Sequence, residues 1–256
     1  HVYRASSNYS SMKKNSGRVC FEKVGINKVS TFMGFCKKHD NELFEIIDNE
    51  LYSHNPVQTF LYSYRALCHE LFLKENSRRL YEKHSRSWPK GDEVSKVFED
   101  SYNGTTFGYE NLVRHKQEID SAIINTSFDK IKYVSFEFME KPSICFSGVF
   151  YPDFDFLGNC IQNLSDQTKP LSLLTFFSAP TEKGWSFVFA WHEASNDVCH
   201  HFMRTLATYM HDGGNLVDAL FRFVISCCEN HAMSPEFWSS LNATQQGVVC
   251  ERVMSI

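Results

Sequence analysis

Between residues 130 and 193 the chain changes its hydrophobic period, and this limits the fold more than any other feature of the 256-residue sequence. KYVSFEFME (132–140) and SICFSGVFY (143–151) place apolar and polar side chains on alternate positions, the pattern of a strand with one face buried. They are joined through Lys141 and Pro142, so a hairpin is the natural connection. LSLLTFFSA (171–179) and GWSFVFAWHE (184–193) form a second such pair around PTEKG. Four neighbouring stretches rich in Phe and Val predict a four-stranded antiparallel sheet over 130–193.

Helical spacing brackets this sheet. From Pro56 a long helix is expected, because Phe60, Leu61, Tyr64, Leu67, Cys68, Leu71 and Phe72 recur at three-four spacing and make one apolar stripe. Pro56 suits the first turn, where its missing N–H leaves nothing unpaired. SWPKGDE (87–93) breaks the pattern, and a second helix is expected over 108–125. After Asn196 two helices are separated by Gly213 and Gly214, and a third begins at MSPEF with Ser234 as its cap and Pro235 in its first turn. Asp40 is the expected cap of a helix through NELFEIIDNEL. The fold class is therefore α+β. A loop-rich N-terminal segment (1–55) with one short strand in GRVCFEKVG precedes an α+β domain (56–256), made of helices over 56–126, the sheet, and helices over 196–254.

Charge divides along similar lines. Residues 1–40 carry eight basic side chains against Glu22 and Asp40, whereas the whole chain has a net charge of −4. A basic end on an acidic body predicts contact with a polyanion, DNA or RNA, through Lys13, Lys14, Arg18, Lys37 and Lys38. No apolar run approaches the roughly 18 residues of a membrane helix, so no membrane partner is expected. Nine scattered cysteines do not resemble a secreted disulfide framework; several lie in apolar contexts and predict a reducing, cytoplasmic setting. No signal peptide is visible, and the chain opens on histidine, not methionine, which leaves open whether residues precede His1.

GFCKKHD (34–40) is the sharpest chemical signal. Cys36 and His39 have the spacing at which two ligands meet one zinc across a tight turn. A glycine precedes them, lysines lie between them and a helix follows. Cys228 and His231 repeat the spacing at a helix end, where the pair is incidental. Random placement would give about 0.4 such pairs. The order in GFCKKHD resembles the second knuckle of treble-clef zinc folds, including HNH-type nucleases, over residues 20–50. That resemblance implies a zinc site built on Cys36 and His39, with Cys20 and His54 as the nearest further donors. It also implies a nuclease function, provided the missing Cys-x-x-Cys and catalytic histidines lie upstream. A basic knuckle on an acidic α+β body looks like components of microbial defence or toxin systems.

Other constellations point elsewhere. Arg79 and His84, like Arg204 and His211, match the Arg-x4-6-His spacing of HEPN-type ribonucleases, which implies RNA cleavage at Arg79 and His84. His200 and His201, beside Glu193, Asp197 and Cys199, are acid–base candidates. Asp153 and Asp155 share a face if extended and suit a divalent cation. CHE (68–70) begins like a zincin motif but has Leu73 in place of the second histidine. No phosphate-binding glycine loop or nucleophile elbow occurs. Three functions follow: a zinc-bearing nucleic-acid-associated protein, a non-catalytic module whose Phe-rich sheet and helices bind a protein partner or a second copy, and a ribonuclease.

Overall fold

A computed structural model describes residues 1–6, 9–29, 31–87, 91–166 and 168–253. Trp88, Pro89 and Lys90, the centre of the predicted break, lie outside the described residues. The strands are β1 (Val2–Ser6), β2 (Cys20–Val24), β3 (Ile131–Phe138), β4 (Ile144–Phe150), β5 (Leu174–Pro180), β6 (Trp185–His192) and β7 (His231–Met233). The helices are α1 (Tyr9–Lys14), α2 (Lys37–Asn49), α3 (Pro56–Ser85), α4 (Glu93–Ile124), α5 (Asn196–His211), α6 (Leu216–Cys227), α7 (Pro235–Ser240) and α8 (Ala243–Val253).

Among the described residues the strands form one seven-stranded sheet in the order β2-β1-β7-β4-β5-β6-β3, with every neighbouring pair antiparallel. The four expected strands are present, the short strand expected in GRVCFEKVG is β2, and β1 and β7 extend the sheet further. β1 and β2 lie in the segment expected to be mostly loop, and the three-residue β7 bridges β1 to β4. The expected β3–β4 hairpin does not form. β3 pairs with β6, while β4 is flanked by β5 and β7. Alternation fixes which side chains share a face but does not choose the neighbouring strand.

Alternation builds two cores. Phe146, Leu174, Phe176, Phe187, Phe189 and Trp191 face one side, where they meet α5, α6 and Trp238 of α7. Thr175, Phe177, Val188 and Ala190 point the other way, towards α3 and its neighbours, with Phe60, Leu67 and Leu112 in the same apolar cluster. A sheet covered on both faces explains the near-continuous apolar run of β6, whose interior residues are all buried.

α3 and α4 pack antiparallel. Asn55 caps α3 by accepting the Gln58 N–H at 2.8 Å, and Asp92 caps α4 by accepting from Val94 N at 2.8 Å. α4 thus starts fifteen residues before the expected position at 108. Gly104, Thr105, Thr106 and Gly108 are weak helix formers that hide the first turns from the sequence, and packing against α3 overrides that weakness. No residue of α3 after Cys68 is buried. Its far half and that of α4 pack largely on each other, with Arg78 over the Tyr109 ring at 5.2 Å and Tyr81 beside Phe98 at 6.4 Å. No helix among the described residues is long and apolar enough to cross a membrane.

Candidate functional site

α2 begins one turn earlier than Asp40. Its N-cap is Cys36, whose carbonyl accepts the Asp40 N–H at 2.9 Å and whose side chain makes no capping hydrogen bond. Positions three apart share a helix face, and the exposed Cys36 Sγ stands 3.3 Å from His39 Nδ1. Two donors on a tetrahedral zinc, with Zn–S about 2.3 Å and Zn–N about 2.05 Å, would be roughly 3.6 Å apart. The pair therefore fits two corners of a zinc site. Among the described residues no group of three or more His, Cys, Asp or Glu side chains is placed to hold a metal ion.

Aromatic contacts fix the approach to α2. Phe35 packs on Phe44 (5.2 Å) and Tyr64 (6.1 Å), and Phe32 packs edge-on against His69 (4.9 Å) and near Phe72 (6.0 Å). The Phe32 ring fills the space that a side chain on Gly34 would take. Gly34 is thus needed for room.

His39 also lines an open cleft of about 570 Å³ between α2, α3 and α4, together with Glu42, Tyr64, Lys116 and Asp120. Tyr64 donates its hydroxyl to Asp120 Oδ1 at 2.7 Å, and Lys116 Nζ contacts both Asp120 oxygens at 2.9 and 2.7 Å. Burial, and then the neighbouring Cys68, push the Tyr64 hydroxyl far above its ordinary range. Lys37 and Lys38 occupy the first turn of α2, and Lys38 lies 3.9 Å from Glu42.

The other expected ligands stand elsewhere. Cys20 opens β2, and its sulfur lies 3.1 Å from Ser11 Oγ and 3.0 Å from Asn15 Nδ2. His54 precedes α3 and contacts Ser135 Oγ at 3.2 Å and Glu137 at 4.0 Å. Both are held by partners of their own, so the expected four-residue set is not assembled. The expected basic surface divides similarly: Lys13 and Lys14 end α1, Arg18 lies in the following turn, and Lys37 and Lys38 sit on α2.

Arg79 and His84 do not converge. Five residues along a helix rotate the side-chain direction by about 140° beyond one full turn. Arg79 pairs with Glu75, while His84 stacks on Phe98 at 5.2 Å. His200 is exposed, and His201 lies 3.4 Å from Asp155. Asp155 serves its own loop, accepting from Leu157 N and Asn159 N at 2.9 Å each. Asp153 caps the Phe154 N–H at 2.9 Å, so the two acids do not form a shared cation site. The second Cys-x-x-His is structural: His231 Nδ1–H donates to the Cys228 carbonyl at 2.6 Å.

One cluster has no sequence signature. Glu118 Oε2 lies 3.5 Å from Nδ1 of buried His115 and 3.8 Å from Nδ1 of His192. The nearby His115 imidazole holds the Glu118 carboxyl below its usual range, and burial lowers His192. His115 and Glu118 share a face of α4, but His192 comes from the end of β6. A groove of about 690 Å³ was likewise not foreseen residue by residue; Phe138, Trp185, Phe221 and Phe237 line it, with Glu137 and Glu140 among its polar residues.

Comparisons with protein-family models, curated proteins and solved structures return no match.

Proposed function

We propose that Cys36 and His39 are two ligands of a treble-clef zinc knuckle, completed by two donors from outside residues 1–256, and that the knuckle presents a basic surface to DNA or RNA. The 3.3 Å separation of Sγ and Nδ1 at an exposed helix start carries this reading. The lysines between them put positive charge beside the metal, with Lys13, Lys14 and Arg18 as further phosphate contacts. Zinc here would be structural, joining the helix start to the missing half of the knuckle. The residues present are assigned no catalytic step, and any HNH-like nuclease activity would reside in the completed knuckle. A basic knuckle on an acidic body suits a component of a microbial defence or toxin system. The nine free cysteines suit the cytoplasm.

Zinc content and nucleic-acid affinity test this together. Affinity should fall steeply with salt, since each neutralised phosphate contributes a logarithmic slope of about −0.9 on duplex DNA. Charge reversal of Lys37 and Lys38 should weaken binding and flatten that slope. Salt-independent binding would contradict the electrostatic part.

The groove beside Trp185 favours a second reading, a non-catalytic partner-binding module. Met139 beside it is 70% exposed and Val217 61% exposed, an apolar surface suited to another subunit or a second copy. Val217→Asp should dissociate such an assembly, as read by light scattering at matched concentration. A chain that is monomeric and captures no defined subunit would remove this reading.

A further inference from the structure

β3 is the last strand on one side of the sheet, paired with β6 and with no other described strand. Its eight residues match β6 one to one, from Ile131 opposite His192 to Phe138 opposite Trp185, so it carries no bulge. It also contains no proline. Only Ile131 of β3 is buried, whereas the interior of β6 is buried throughout. Edge strands that stay unpaired are commonly shortened, bulged or broken by proline, and β3 has none of these features.

The ladder fixes which backbone groups face outward. Glu193 N donates to Lys130 O at 2.8 Å. That makes the two residues a hydrogen-bonded pair, and such pairs alternate with unbonded ones along an antiparallel ladder. Lys132, Val134, Phe136 and Phe138 therefore bond to β6, while Ile131, Tyr133, Ser135 and Glu137 turn their N–H and C=O groups away from it. Ile131 N donates to Phe128 O at 3.4 Å. The backbone N–H and C=O groups of Tyr133, Ser135 and Glu137 meet no partner among the described residues.

The side chains here fix the strand and leave its edge open. The Tyr133 hydroxyl donates to His54 O at 2.5 Å, and Ser135 Oγ lies 3.2 Å from His54 Nδ1. These contacts rise off the α3 side of the sheet, because strand side chains stand roughly perpendicular to it.

Charge selects the strand that fits. Lys130 and Lys132 stand at the start of β3, Glu137 at its end and Glu140 just beyond. Lys130 is 3.1 Å from Glu193, and Glu137 is 4.0 Å from His54. Lys132 reaches only the Asp129 carbonyl, at 3.5 Å, and Glu140 has no ion pair among the described residues. An antiparallel copy of β3 sets each basic start beside the other's acidic end, whereas a parallel copy sets like beside like.

We infer that the chain forms a dimer by pairing β3 with β3 of a second copy about a two-fold axis, Ser135 opposite Ser135 and Tyr133 opposite Glu137. This register bonds the three open residues to one another and leaves out Ile131, whose N–H is taken. Each contact is made twice, as a two-fold interface requires, and the two sheets become one continuous sheet. The exposed charges set orientation and register more than affinity. Cys36, His39 and Val217 take no part, so the inference stands apart from both the zinc knuckle and the groove beside Trp185.

Sedimentation velocity of the 256-residue chain over a dilution series tests this. The parent should be dimeric at the concentrated end and dissociate on dilution. Ser135→Pro should be monomeric throughout, because it removes the central outward N–H. Proline is tolerated where an edge strand turns its N–H to solvent, and circular dichroism checks that the fold is kept. Val217→Asp, a change in the groove, should dimerise like the parent. Amide exchange on the unmodified chain needs no variant: the Tyr133, Ser135 and Glu137 amides should be protected in concentrated samples and exchange at least about tenfold faster when dilute. A parent that stays monomeric up to about 0.1 mM would overturn the inference. So would a dimer that persists in folded Ser135→Pro, a dimer that Val217→Asp dissociates, or a dimer whose three amides exchange as fast as in the monomer.

Discussion

The Phe138 carbonyl oxygen occupies the space that a Cβ on Gly184 would need. β3 and β4 are three places apart in the sheet, so residues 139–143 must cross the β5–β6 turn that contains Gly184. At roughly 3.3 Å per residue this link spans three strand spacings of about 4.8 Å. It does so only by lying against the turn, where a side chain would strike backbone.

Gly184→Ala should therefore destabilise the protein by about 1–3 kcal/mol, the usual size of an overpacking penalty. For a chain of this length that lowers Tm by about 2–4 °C per kcal/mol. Gly104→Ala is the control, since a Cβ there meets nothing within 4 Å and replaces a helical glycine; it should leave Tm unchanged or raise it. Equal Tm for the Gly184 variant and the parent would refute the crossing as drawn.

Tyr64 joins α3 to α4 through Asp120 at the cleft floor. Tyr64→Phe keeps the buried ring and removes one hydrogen bond to a carboxylate that Lys116 still pairs. The expected loss is about 1–2 kcal/mol in urea unfolding, with no change in the denaturant dependence. A loss above that range would mean the hydroxyl holds more than this joint.

Acid should weaken the fold through its neutral histidines. His231 is 2% exposed, donates to Cys228 and leaves Nε2 without a hydrogen-bond partner. Burial lowers its pKa, as it does for His69 and His192. The unfolded chain takes up these protons near pH 6.5 and the folded chain only at lower pH. Their stability contribution is thus complete above about pH 6.5 and shrinks as pH falls. His231→Asn retains a donor towards Cys228 and cannot titrate. Its unfolding free energy should decline less steeply between pH 6.5 and 5 than the parent's, and parallel curves would show that His231 is not responsible.

The sequence showed faces more clearly than neighbours. The alternation of Tyr133, Ser135 and Glu137 against Val134, Phe136 and Phe138 marks β3, yet its partner β6 lies about fifty residues away. Pro56, Ser234 and Gly213 mark helix boundaries because their backbone preferences are local. β7 escaped notice because three residues carry no period, and β1 because its five residues, all half-buried, show no apolar–polar alternation. In the candidate site Cys36 and His39 were legible because three-residue spacing on a helix puts them together. The separate positions of Cys20 and His54, and the meeting of Glu118 with His192, depend on tertiary packing, which no local pattern encodes.

The most direct measurement is zinc content, determined by elemental analysis on the 256-residue chain and on the whole product, meaning the chain with any residues that precede His1. The account predicts one zinc per chain in the whole product, lost with Cys36→Ser or His39→Ala, and weak or no retention by the 256-residue chain alone. No zinc in the whole product, or zinc that survives both substitutions, would contradict it and leave GFCKKHD as the start of a helix.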